Sequence, residues 1–268
     1  MATTSADVMS ATAPPGTRTL LAVEHLACSF GGVRAVTDAS FVVAEGTITG
    51  LIGPNGAGKS TAIDLICGRT RLDAGSVSFD GEEISGEPAY RVAQRGILRT
   101  FQRANVFGRL TVMENLLLGA PPGEGERLSR ALWLRSSWHR SEGEGIARAY
   151  ALLERFGLER LADEYAGSLS GGQKRLVELM RALMAQPKML ILDEPMAGVN
   201  PTLAGSIADR LEELRGEGMT MLMVEHELRW VERLCNPVVV MARGRVLAEG
   251  SMADLQANED VVDAYLGS

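Results

Sequence analysis

Apolar positions in this chain follow two periods, and the switching between them predicts the architecture. Leu20-Leu21-Ala22-Val23-Glu24-His25-Leu26 reads as a first strand. Ser29-Phe30 ends a strand, Gly31-Gly32 turns, and Val33 to Val36 begins a second. Ser40 to Ala44 adds a third, and Thr47 to Ile52 is a short apolar run of strand character. Ala62 to Cys67 then lacks Gly and Pro and reads as a buried helix, and Gly75 to Gly81 alternates like a half-exposed antiparallel strand. From about 86 to 165 strand signals stop. Thr111–Gly119 and Ile146–Phe156 read as helices there, and Leu132, Trp133, Leu134 and Trp138 fall close together, suited either to capping the core of a small lobe or to facing a membrane or a partner helix.

Beyond residue 165 strands return. Leu176, Leu179, Met180, Leu183 and Met184 fall on one helical face. Met189-Leu190-Ile191-Leu192 is an apolar run that ends in Asp193-Glu194-Pro195. Asn200-Pro201 starts a helix with a cap residue followed by Pro, and Ala204, Ile207, Leu211 and Leu214 mark its buried face. Met219 to Val224 is another buried strand, and Pro237 to Ala248 reads as a hairpin turning at Arg243-Gly244. A short helical tail closes the chain. Strands alternating with helices predict an α/β fold: a mixed, largely parallel sheet with an N-terminal antiparallel region and an inserted helical subdomain. The expected division is a core of 18–85 and 166–255, a helical subdomain of about 86–165, and a tail of 256–268.

Composition adds limits. The 268 residues are 46% hydrophobic and 23% charged, ordinary for a protein with a sizeable core. The net charge of −7 argues against non-specific nucleic-acid binding. No apolar run approaches the roughly 18 residues of a membrane span. Residues 1–17 are small and polar, without the basic start and apolar stretch of a signal peptide, and are expected to be disordered. Cys28, Cys67 and Cys235 are widely separated, which suggests a reducing compartment and no disulfide framework.

The chemistry centres on Gly53-Pro54-Asn55-Gly56-Ala57-Gly58-Lys59-Ser60-Thr61, which fits the phosphate-binding pattern G-x-x-x-x-G-K-[ST] between a strand and a helix. Glycines let the backbone curl around an anion, and the helix N-terminus adds partial positive charge. Lys59 suits the β- and γ-phosphates, and Ser60 suits Mg²⁺. Lysine occurs elsewhere only at 174 and 188. An apolar strand ending in Asp193 and Glu194 delivers two carboxylates to a sheet edge, where ligands of open α/β sheets bind. Leu169-Ser170-Gly171-Gly172-Gln173 opens the amphipathic helix; a serine cap explains Ser170 but not the two glycines, which read as a second anion site.

This combination resembles the ABC-type ATPases over nearly all of residues 18–255. Leu169–Gln173 is similar to their signature, and Met189–Pro195 to their Walker B strand. The resemblance implies ATP and Mg²⁺ as ligands. Phe30 matches the aromatic residue that stacks on adenine, and Val36 joins the nucleotide-binding set. Asp193 matches the Mg²⁺-holding aspartate and Glu194 the residue that polarises water. Gln102 matches the glutamine sensing Mg²⁺ and water, and His226 the switch histidine at the γ-phosphate. It further implies a head-to-tail dimer with a second ATPase subunit, identical or related, in which Ser170–Gln173 serves the partner's nucleotide.

Transmembrane permeases, a solute-binding protein and a location on the inner membrane face follow from the same resemblance, with 103–115 as the coupling surface. Asn200 stands where the family's D-loop usually carries Asp. Arg99-Thr100-Phe101-Gln102, Ala197–Pro201, Val224–Leu228 and Asp263–Gly267 are similar to ATPases of branched-chain amino-acid importers and their relatives for small organic solutes. A lipid-export ATPase usually differs around Gln102. A soluble ABC-type ATPase acting on DNA, ribosomes or iron–sulfur assembly is the other alternative; DNA-repair members carry a long coiled coil and ribosome-type members two ATPase domains, whereas this chain has no heptad run and one P-loop.

Overall fold

Residues 17–100, 105–121 and 135–266 are described in a computed structural model. In chain order the elements begin β1 (Thr19–Phe30), β2 (Val33–Ala44), β3 (Ile48–Ile52), α1 (Lys59–Ile66), β4 (Ala74–Phe79), β5 (Glu82–Glu83), α2 (Ala89–Arg95) and β6 (Ile97–Arg99). Next come α3 (Val112–Leu117), α4 (Arg135–Arg155), α5 (Gly171–Met184), β7 (Met189–Asp193), α6 (Pro201–Gly216) and β8 (Thr220–Val224). The last are α7 (Leu228–Leu234), β9 (Val238–Ala242), β10 (Arg245–Gly250), α8 (Met252–Gln256) and α9 (Glu259–Leu266). The chain divides into two units: Met1–Arg95 with Arg215–Ser268, and Gly96–Leu214.

In the first unit the strands run in the order β5-β4-β1-β2-β10-β9-β3-β8. β1 and β2 are antiparallel about Gly31-Gly32, with Phe30 opposite Val33. β3 lies between β8 and β9 and is parallel to both. Every residue of β3 and β8 is buried, the pattern of a strand covered on both faces. β9 and β10 form the expected hairpin about Arg243-Gly244.

One expectation is corrected here. Ser40–Ala44 is not a third strand but the second half of β2. The polar pair Thr37-Asp38 that interrupts the apolar pattern sits at a bulge: Leu26 pairs with Ala39 and Cys28 with Val36, so β2 holds one extra residue. The Thr37 N–H and hydroxyl donate to the Gly244 carbonyl at 2.8 and 3.1 Å, and Asp38 pairs with Arg245. The polar residues are absorbed by β10, so the chain stays extended.

In the second unit β6 pairs in parallel with β7, Ile97 opposite Met189 and Arg99 opposite Ile191. This strand lies where strand signals were expected to stop. Three residues are too few to display alternation, and the partner's apolar run is what holds them. The predicted face of α5 is buried, as are Ala204, Ile207, Leu211 and Leu214 of α6. α3 opens with a capping box in which Thr111 and Glu114 exchange side-chain and backbone bonds. Asn115 is fully buried and ties the preceding loop: its amide donates to the Phe107 and Thr111 carbonyls at 3.1 and 2.8 Å and accepts from the Phe107 N–H at 2.9 Å. The end of the expected coupling surface is thus interior. The side chains of the 132–138 cluster lie outside the described residues. Among the described residues no helix is long and apolar enough to cross a membrane.

Candidate functional site

The loop after β3 is shaped by its neighbours within the first unit. Gly53 has φ +148°, and a Cβ there would lie 2.0 Å from the Met241 carbonyl oxygen, so the β9 backbone excludes every side chain. Gly58 has φ +102°, and its Cβ would lie 2.6 Å from the Ala35 carbonyl oxygen. The Gly244 N–H donates to the Ala57 carbonyl at 2.9 Å. The β9–β10 turn and β2 therefore mould the loop from behind. Val36, expected among the nucleotide-binding residues, is buried at this wall against Gly58.

Gly58 caps α1 without any side-chain bond, so no capping side chain covers the helix N-terminus. Lys59 opens that helix, and its ammonium donates to the Gly53 and Pro54 carbonyls at 2.7 and 3.0 Å. Its side chain is buried under the loop while Asn55, Gly56 and Ser60 are exposed. Such a loop can cradle an anion with backbone N–H groups and one ammonium.

β8 brings a further residue to this edge. It runs parallel to β3 with Leu51 opposite Val224, so His226 emerges two residues past the strand end, beside the loop's start. His226 is exposed, and its N–H donates to the buried Glu225 carboxylate at 3.1 Å. Phe30 is half-exposed at the β1–β2 turn, open to stacking.

The C-terminal tail also reaches the loop, which the sequence pattern did not foretell. Tyr265 lies near the Gly53 backbone, whose influence on the phenol favours the phenolate. Burial outweighs it and pushes the phenol up to about 12. The available signal was Asp263–Gly267, which by itself marks only a family-like ending.

The second unit carries the remaining predicted residues. β7 ends on Asp193, which is buried, and Arg99 Nη2 lies 2.8 Å from its Oδ2. Glu194 follows with φ +49°, a left-handed conformation costly for a residue with a Cβ. This turn gives Asp193 and Glu194 different directions. Ser170 caps α5: its hydroxyl accepts from the Gln173 N–H at 3.3 Å, and the Gln173 side chain accepts from the Ser170 N–H at 2.9 Å. The two glycines beside them differ. A Cβ on Gly172 would meet Leu203 Cδ2 at 2.1 Å, so the end of that α6 side chain packs directly on this glycine of α5. A Cβ on Gly171 would point into open space, with nothing within 4 Å, so packing does not account for this glycine. Asn200 caps α6, accepting from the Leu203 N–H at 2.9 Å. Gln102 lies outside the described residues.

Three comparisons bear on this arrangement. A family profile described as ABC transporter matches residues 36–197, and one described as branched-chain amino acid ATP-binding cassette transporter matches 245–268. A probable branched-chain amino acid transport ATP-binding protein of Archaeoglobus fulgidus is 42% identical over 93% of this chain and 96% of its own length. A high-affinity branched-chain amino acid transport ATP-binding protein of Pseudomonas aeruginosa is 36% identical over 93% and 98%. The crystal structure of a nucleotide-free ATP-binding cassette from an ABC transporter superposes with TM-score 0.81 at 38% identity, covering 94% of this chain and all of that one. The ADP conformation of an ABC transporter cassette gives the same values. By sequence and by fold the chain belongs to the ATP-binding cassette family of ABC transporters, and it is an ATP-binding, ABC-type ATPase.

Proposed function

We propose that this chain is the energising subunit of an importer that carries branched-chain amino acids or a related small organic solute through partner permeases. The observation that carries the reading is end-to-end similarity to branched-chain amino acid transport ATP-binding proteins, the C-terminal 245–268 segment included.

In this reading Gly53–Thr61 holds the phosphates, with Lys59 on the β- and γ-phosphates and Phe30 stacked on the adenine. Ser60 in the first unit offers a hydroxyl and Asp193 in the second a carboxylate, the oxygen chemistry that suits Mg²⁺. Among the described residues there is no cluster of three or more His, Cys, Asp or Glu for a dedicated cage. When bound, Mg²⁺ would neutralise charge on the phosphates. Gln102 belongs to the same set. Glu194 accepts a proton from the attacking water, and His226 senses the γ-phosphate. Ser170–Gln173 faces the nucleotide of a second, head-to-tail subunit, where the open N-terminal turn at Gly171 admits phosphate. Binding closes the pair and hydrolysis opens it.

The permease docks, in this reading, on the second unit. An open cleft of about 560 Å³ there is lined by Arg99, Asn105, Phe107, Leu118 and Arg181 among others. The Arg181 guanidinium stacks 5.3 Å from the Phe107 ring centre, and its buried Nη1 has no hydrogen-bond partner among the described residues. An acceptor on a partner helix would satisfy it. The ATPase would then sit at the inner face of the membrane, with the solute-binding protein acting through the permeases. Affinity purification from gently solubilised membranes of the native host tests this. Multi-span permeases and a second ATPase should co-purify, and the reconstituted complex should take up leucine, isoleucine or valine. Recovery of soluble partners alone, across several detergents, would overturn the importer reading.

A further inference from the structure

We propose that Arg99 is a positioning residue for the Asp193 carboxylate, holding one of its oxygens and offsetting its charge, so that a divalent cation binds there only in company with nucleotide phosphates. The proposal rests on the reading that Asp193 is a Mg²⁺ ligand. Both residues belong to the second unit. β6 and β7 are pinned in register at both ends: the Met189 N–H donates to the Gly96 carbonyl at 3.0 Å, and the Thr100 N–H to the Ile191 carbonyl at 2.9 Å. Arg99 stands opposite Ile191, and Asp193 follows that residue by two on the same face of β7. A slip of one residue would turn Arg99 away from the carboxylate, so the ladder fixes the pair.

The contact uses half of the carboxylate. Arg99 Nη2 donates to Oδ2 at 2.8 Å, and both side chains are largely withdrawn from solvent. Oδ1 has no hydrogen bond among the described residues. One oxygen is thus held, and the other is left for a metal. Charge then decides what can bind. A guanidinium stays protonated at any physiological pH, so the pair has no net charge. A lone carboxylate draws a dication by its full charge. One that already has a cation at 2.8 Å draws it far less, and with both groups out of solvent the difference is weakly screened. Phosphate oxygens restore the negative charge that the pair lacks, so the metal enters with the nucleotide. A partner that served structure alone could be any neutral donor, and it would leave the charge of Asp193 intact.

Arg99→Gln keeps a hydrogen-bond donor and removes the charge, whereas Arg99→Lys keeps the charge. The full-length protein and its variants are titrated with Mn²⁺ as the probe ion, read by electron paramagnetic resonance, without nucleotide and with ADP. Without nucleotide, Arg99→Gln should bind Mn²⁺ about ten-fold more tightly than wild type, the modest end of what a unit charge at contact range does. Its melting temperature should rise on adding Mn²⁺, while that of wild type stays level. Arg99→Lys should match wild type, and the gain should vanish when Arg99→Gln is combined with Asp193→Asn. With ADP present, Asp193→Asn alone should bind Mn²⁺ more weakly than wild type. No gain in Arg99→Gln, beside weakened binding in Asp193→Asn, would overturn the proposal and leave the metal assignment standing. Unchanged binding with ADP in Asp193→Asn would overturn that assignment and the proposal with it. An equal gain in Arg99→Lys, or a gain that survives Asp193→Asn, would also overturn it. If Arg99→Gln does not fold unaided, Mn²⁺ added during refolding should restore it, and failure to do so would refute the exchange of one cation for the other.

Discussion

Arg99 and Asp193 form a buried ion pair, 2.8 Å from Nη2 to Oδ2, with side chains 11% and 10% exposed. Strand geometry sets it up. Arg99 lies opposite Ile191, and Asp193, two residues further along β7, shares that residue's face. The carboxylate assigned to the metal therefore leans on the strand that leads to Gln102. Arg99→Met should leave that carboxylate buried without its cation and cost about 3 kcal/mol of stability, read by urea unfolding. Arg99→Lys should recover part of the loss, because an ammonium replaces the charge but not the planar fork. Stability of Arg99→Met equal to wild type would refute the pair's role.

Glu194 combines an unfavourable backbone with the proposed proton-accepting role. Its φ of +49° costs about 1–2 kcal/mol relative to glycine. Two variants separate the parts. Glu194→Gln keeps the strain and removes the base, so it should bind ATP, favour the closed pair and release no phosphate. Glu194→Gly should be equally inactive yet melt higher than wild type. Turnover in Glu194→Gln near the wild-type rate would remove the assignment, and a lower melting temperature in Glu194→Gly would remove the strain argument.

The sequence displayed most of this fold because its signals are local. The apolar run Met189–Leu192, the α5 face at Leu176–Met184 and the Asn200-Pro201 helix start each declare themselves within a dozen residues. What it hid was non-local. Thr37-Asp38 looks like a strand break until β10 is seen to absorb the bulge. Ile97–Arg99 is a strand only because β7 lies beside it. In the site, the phosphate loop was legible as a pattern, but its shape depends on Met241 and Ala35, far along the chain. Gly172 carried a further lesson: beside the anion chemistry its pattern suggests, the end of the Leu203 side chain packs against it, a contact no local pattern displays.

The loop glycines should respond unequally to alanine. At Gly53 the added Cβ meets a backbone oxygen at 2.0 Å, and a β9 carbonyl cannot swing aside. Gly53→Ala should therefore abolish nucleotide binding and lower the melting temperature markedly. Gly56 has φ +77° with nothing within 4 Å of the added atom. Gly56→Ala should cost only the conformational term, about 1 kcal/mol, and leave a folded protein. Melting curves and calorimetric ATP titrations of the two variants check this. Equal loss in both would mean that left-handed backbone, and not the approach of β9, governs the loop.

Cys235 is buried against Gly50 of β3, whose Cβ would lie 3.0 Å from the cysteine's own. Burial first, and the Glu225 carboxylate second, push its thiol up to about 12. The folded protein therefore keeps this proton where the unfolded chain, with an ordinary thiol near about 8.5, has lost it. Stability from this group is fully present below about pH 8.5 and falls as pH rises toward 12, by at most about 1.4 kcal/mol per pH unit. Two measurements follow. At about pH 9, just above the ordinary thiol range, the native protein should resist iodoacetamide at Cys235, mapped by mass spectrometry, and react there once unfolded in urea. Between about pH 8.5 and 10, Cys235→Ala should lose less stability than wild type over the same interval. Rapid native labelling, or equal slopes in the two proteins, would show that the thiol is not held protonated by the fold.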